Sequence, residues 1–94
     1  MLYLVKYNEY DEPYDLYDEV APAAIATITY GKVEADDPED AIYKVRDLVW
    51  EQEEADGWKV EEEYRFPEDP SYMSCKGLGE DRWYIGGFTA EEVA

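Results

Sequence analysis

The chain has 94 residues, of which 25 are Asp or Glu and 8 are Lys or Arg, giving a formal net charge of −17. That length holds one small domain, 1–94, and the 46% hydrophobic fraction, ten Tyr included, is enough to build its core. The charge excludes direct binding to nucleic acid or anionic lipid, which it would repel at long range, and favours a basic partner or a salt-rich solvent.

Residues 2–8, Leu-Tyr-Leu-Val-Lys-Tyr-Asn, are rich enough in aromatic and apolar side chains to predict a first strand. From Glu9 to Glu19 the chain carries six acids and no base, and Pro13 excludes a central strand there. This stretch reads as a loop with one or two turns of helix over 13–20, since Pro suits a first helical turn. Residues 23–34 predict a second strand, in which Gly31 marks a bulge or bend. A helix follows over 38–55: Asp37 is its N-cap, Pro38 its first residue, and Glu39 and Asp40 sit at the positive end of its dipole. Ala41, Ile42, Val45, Leu48, Val49 and Gln52 share its apolar stripe, and Gly57 ends it. Trp58 to Phe66 alternates as a third strand, with Glu62 interrupting the apolar face. Pro67, Pro70, Gly77 and Gly79 punctuate a loop over 67–81. A last strand, 82–88, precedes an acidic tail with Glu91 and Glu92.

The order is β-β-α-β-β. The first two strands pair as a hairpin, the helix crosses one face, and the last two strands complete a mainly antiparallel sheet. The fold class is α+β, a two-layer domain with one helix packed on one face of the sheet.

Catalytic chemistry finds little support. No His is present, which removes the commonest general base and metal ligand together. Cys75 is the only cysteine, so neither an intramolecular disulfide nor a thiolate zinc cage can form within the chain. Lys76 beside it would lower a thiol pKa, yet no His pairs with it, and a small buried hydrophobe is the simpler reading. Neither 36–40 nor 11–15 has calcium-loop spacing, and Gly77-Leu78-Gly79 lacks the Lys and spacing of a phosphate loop. The chain is therefore expected to be noncatalytic and to use no cofactor or metal. The N-terminal stretch lacks the pattern of a signal peptide and no run is long enough to span a membrane, so a soluble, cytoplasmic protein is expected.

The arrangement of the acids is more informative. They cluster in 9–19, 34–40, 51–56 and 61–63, with pairs at 68–69, 80–81 and 91–92. These positions fall on loops, helix ends and an exposed strand face, and they spare the core. Any single run is ordinarily a solvated face. Carboxylates two apart on a strand, as in Glu61 and Glu63, lie about 6.6 Å apart, and duplex DNA also presents closely spaced negative charge. Tyr7, Tyr10, Tyr14 and Tyr17 interleave with the first cluster. Tyr supplies a rigid ring with a polar tip, and its face attracts Lys and Arg.

In its small size, strong acidity and lack of His, the chain resembles the DNA-mimic inhibitors of phages and mobile elements, the anti-CRISPR and anti-restriction proteins. That resemblance covers the whole chain in composition and coarse architecture and carries no diagnostic motif. It implies stoichiometric blockade of the basic DNA-binding groove of a host defence nuclease. The candidate contacts are Glu9, Tyr10, Asp11, Glu12, Tyr14, Asp15, Tyr17, Asp18 and Glu19, then Asp36, Asp37, Glu39 and Asp40, then Glu51, Glu53 and Glu54. Two alternatives compete with this reading. One is an acidic cytoplasmic protein of a salt-loving organism with no dedicated basic partner, and the other is a small enzyme or metal-dependent module that uses an acidic pocket.

Overall fold

The computed structural model describes residues 1–11, 24–62, 73–77 and 82–93. The elements are β1 (Leu2–Tyr10), β2 (Ala26–Glu34), α1 (Pro38–Ala55), β3 (Lys59–Glu62), β4 (Met73–Lys76) and β5 (Arg82–Val93). The strands form one five-stranded antiparallel sheet of order β2-β1-β5-β4-β3, with α1 packed on one face. The α+β class, the antiparallel β1–β2 pair and the helix stand as the sequence predicts.

Helix α1 begins where its local chemistry dictates. The Asp37 carboxylate accepts from the Asp40 N–H at 2.7 Å, and Asp40 accepts in turn from the Asp36 N–H at 3.1 Å. Two otherwise orphaned donors are satisfied this way. At the other end, Gly57 N–H donates to Glu54 O and Trp58 N–H to Glu53 O. These are the paired bonds of a Schellman stop, and Gly57 takes the left-handed φ of 97° that it needs.

Strand alternation then places the core. Tyr3 and Val5 of β1, Ile85 and Phe88 of β5, Met73 and Cys75 of β4, and Val60 of β3 are buried together with Ala41, Val45 and Val49 of α1. Fully burying a side chain such as Val5, Ile85 or Met73 contributes roughly 1.5–3 kcal/mol. Trp58 meets Trp83 edge to face at 5.9 Å, and Tyr7 stacks on Phe88 at 5.1 Å.

Two bulges bend the sheet at one level. Val5 pairs with Gly31 and Lys6 with Thr29, so Tyr30 is an extra residue in β2, and Gly31 takes a φ of 136°. The predicted irregularity at Gly31 is thus present. On the other side of β1, Gly87 and Phe88 together oppose Tyr7, and Gly87 has a φ of 62°. Such insertions sharpen local twist and let the sheet bend.

Several sequence expectations change. Residues 73–76, expected as loop, form β4 because Met73 and Cys75 both turn into the core. Glu91 and Glu92 belong to β5, paired with Leu4 and Tyr3, and are no tail. Glu9 and Tyr10, assigned to a loop, extend β1. Leu48 is 45% exposed and Gln52 is also exposed, whereas Arg46 is buried. The helix is rolled toward the Arg46 side, where the guanidinium lies 5.6 Å over the Trp50 ring and the aliphatic stem covers apolar surface. The short helix expected over 13–20 and residues 63–66 of the third strand fall outside the described residues.

Two outcomes follow from this packing. A Cβ at Gly87 would meet Asn8 Nδ2 at 2.8 Å in a left-handed backbone. Gly87→Ala is expected to lower unfolding stability by about 1–2 kcal/mol in urea titrations. The Cys75 thiol, fully buried and with its pKa pushed up to about 12 by burial and by Glu53 and Glu9, should react with a thiol reagent only as the protein unfolds. Labelling at the rate of an exposed thiol under native conditions would contradict the structure.

Candidate functional site

The described carboxylates divide unevenly between the two sides of the sheet. Around the start of α1 lie Asp36, Asp37, Glu39 and Asp40, and Glu92 of β5 lies close enough, with Asp36 and Asp37, to raise the pKa of the buried Tyr3 hydroxyl beyond what burial does. Asp47 sits on the exposed helix surface, and Glu51, Glu53, Glu54 and Asp56 follow at its end. Glu9, paired with Ile85, turns to the helix face and stands near Glu53. On that side the described cations are Lys44, which bonds Asp40 and the Glu34 carbonyl at 3.2 Å each, and the buried Arg46.

The far face of the sheet differs. Alternation places Lys6, Lys32, Lys59, Lys76 and Arg82 there, together with Glu34, Glu61 and Glu91. Glu61 bridges Lys59 at 3.3 Å and Lys76 at 3.2 Å, and these two ammonium groups hold its carboxyl below the usual carboxylate range. Most described cations therefore face away from the helix, and most described carboxylates face with it.

The two ends of α1 have different electrostatic meaning. The acids at its start complement the helix dipole and the open N–H groups. Asp40 is accordingly held below its ordinary pKa, first by the Asp36 N–H and then by Lys44. The acids at its end oppose the dipole, and the last turn has no basic residue. Glu53 is raised, chiefly by partial burial and then by Asp56 and Glu9. Asp37 and Asp40 thus cap the helix, whereas the acids at its end act against the dipole.

Along the exposed surface of α1, Asp47, Glu51 and Glu54 form a ridge, and Glu39 lies about two turns before it with exposed Tyr43 and Lys44 between. By helix geometry the ridge rises about 10 Å, about three nucleotides of one DNA strand, and Glu39 extends the row of acids to about 22 Å. Beside it, Arg46, Asp47, Trp50, Glu51 and Glu54 line an open groove of about 440 Å³.

The predicted site residues separate on this frame. Asp36, Asp37, Glu39 and Asp40 come together at the start of α1 and Glu51 and Glu54 on its exposed face near the end, whereas Glu53 turns half-buried toward the sheet and Glu9. Glu9 joins the helix side, but Tyr10 faces the opposite side of the sheet, where Asn8 Nδ2 donates to its hydroxyl at 3.1 Å. Consecutive strand residues cannot share a face, so Glu9 and Tyr10 are not one contact surface. Asp11 is exposed just beyond β1, and Glu12, Tyr14, Asp15, Tyr17, Asp18 and Glu19 lie outside the described residues. Asp47 and Trp50, not singled out from the sequence, also line the groove. The i, i+4 spacing of 46/50 and 47/51, continued to 54, was the signal that could have found them.

Among the described residues, no group of three or more His, Cys, Asp or Glu is arranged to hold a metal ion, and no helix is long and apolar enough to cross a membrane.

The raised pKa of Glu53 sets a sign. Its folded form holds a proton more tightly than the unfolded chain, so its contribution is favourable at acid pH and is lost as pH rises through the folded pKa. Glu53→Gln should therefore raise the melting temperature at pH near 7, with the gain shrinking toward pH near 4. An equal or larger gain at acid pH would show that the carboxylate is not the destabilising group.

Comparison with protein-family models, with curated proteins and with solved structures finds no match for this chain.

Proposed function

We propose that this is a noncatalytic binding protein whose helix side takes the place of nucleic acid in the basic groove of a nucleic-acid-binding protein. A host defence nuclease, a CRISPR effector or a restriction enzyme, is the class of partner suggested by the resemblance to phage DNA-mimic inhibitors. The observation that carries the reading is the acidic surface of α1, with Glu39 near its start and the ridge of Asp47, Glu51 and Glu54 toward its end, whose last members oppose the dipole of their own helix. Retaining like charge where it weakens the fold is the expected mark of a surface shaped by a partner.

The distribution also weighs against acidity for solvation alone. A coat serving solubility in concentrated salt has no need of a preferred side. Here the described far face holds Lys6, Lys32, Lys59, Lys76 and Arg82. For the proposed role, the ridge steers association and lengthens it only where groups are desolvated on contact.

The test is displacement of duplex DNA from purified candidate nucleases across a salt series. The protein should displace DNA at low salt and lose potency as salt rises. Neutralising Glu39, Asp47, Glu51 and Glu54 to their amides should weaken displacement about four-fold or more, since each exposed pair contributes about 0.2–1 kcal/mol. Neutralising Glu34 and Glu91 on the far face should leave it unchanged. Failure to displace DNA from every candidate at low salt would refute the proposal, as would equal losses from the two sets of substitutions.

A further inference from the structure

The groove beside the ridge has a more specific chemistry than negative charge. Trp50 is half-buried against the core, so its ring is held in place with part of its surface open. Glu51 and Glu54, three residues apart, are neighbours on the helix surface, as are Asp47 and Glu51 at four. Arg46, one turn before Trp50, already rests its guanidinium 5.6 Å from the ring centroid. Arg46 is only 7% exposed, so the carboxylates Asp47, Glu51 and Glu54 dominate the open part of the groove.

We propose that this groove receives an arginine side chain of the basic partner. The inference rests on the reading of the helix side as a partner surface and names the group that anchors it. An indole ring attracts a cation over its face, and a planar guanidinium stacks there better than a compact ammonium. Two adjacent carboxylates also match the fork of N–H donors that arginine presents and lysine lacks. The ring supplies a rigid, partly desolvated anchor, the kind of residue that carries binding energy at interfaces, while the surrounding acids steer. The occupant is therefore an arginine-bearing segment, and a lysine-rich one should be held by charge alone.

The test uses the full chain labelled with nitrogen-15 and two probes, hexa-arginine and hexa-lysine, titrated at matched low ionic strength. Hexa-arginine should bind about three-fold or more tightly than hexa-lysine, the ratio expected of a modest cation–π contact. It should shift the Trp50 indole N–H and the amides of 46–54 ahead of those of 36–40. Glu51→Gln with Glu54→Gln should abolish the preference without unfolding the protein, because both side chains are exposed. Trp50→Phe, which keeps an aromatic ring against the core, should reduce it. Equal affinity for the two peptides, or shifts at 36–40 with Trp50 unmoved, would overturn the proposal. DNA displacement by the unmodified protein with no arginine preference overturns the arginine site and leaves the broader reading standing. A clear preference without displacement from any nuclease does the reverse.

Discussion

One apolar layer holds this molecule together against its own charge. Ala41, Val45 and Val49 of α1 meet Val5, Ile85, Met73 and Cys75 of the sheet, and nearly all of these side chains are sealed from solvent. Hydrophobic burial of this kind does not depend on screening, whereas the repulsion among carboxylates is long-ranged and is screened by salt. The core must therefore supply stability at low ionic strength without help from the surface. This explains why so small a domain keeps Tyr, Trp and Phe around its core: Tyr7 on Phe88 and Trp58 against Trp83 extend the apolar layer toward its rim. Glu9 and Glu53 lie half-buried at that rim.

Helix α1 is both the lid of the core and the carrier of the acidic ridge, and its two ends resolve this double role differently. At the start, Asp37 and Asp40 cap the backbone, so negative charge and helix stability agree. At the end, stability comes from backbone geometry alone, through the Gly57 and Trp58 N–H groups, while Glu51, Glu53, Glu54 and Asp56 act against it. A Schellman stop satisfies the last carbonyls with backbone N–H groups and needs no side chain to do so. It allows acids to accumulate there without unravelling the last turn.

The parts legible in the sequence are those fixed by local chemistry. The helix bounds follow from the Asp37-Pro38 start and the Gly57 stop, and the irregularity at Gly31 from a glycine within a strand. What escaped depends on contacts distant in the chain. Met73 to Lys76 has no β-branched residue and becomes a strand only between β3 and β5. Glu91 and Glu92 look like a tail until Tyr3 and Leu4 pair with them. Leu48 and Arg46 exchange places because the roll of a helix on its sheet is set by packing on both flanks, which periodicity within one helix cannot decide. The same limit applies to the site. The acids at 36–40 and 51–54 were visible as runs, but the ridge of Asp47, Glu51 and Glu54, the turning of Glu53 toward the sheet, and the groove at Trp50 required the helix to be oriented. The separation of Glu9 from Tyr10 required β1 to continue through both.

The sheet's far face bears on the same question from the other side. Lys59 stands opposite Lys76 across β3 and β4, and Lys76 opposite Arg82 across β4 and β5. Like charges directly opposite one another weaken a sheet, and among the described residues Glu61 relieves two of the three. A chain with only 8 basic residues gains little stability by placing three in one row. For a basic partner, however, that row makes approach to the far face unfavourable while the ridge makes approach to the helix favourable. Discrimination between orientations depends on the difference between those two energies, and a repulsive face contributes to it as directly as an attractive one. Net charge draws a partner in regardless of direction, and it is this polarity across the sheet that would turn it toward α1.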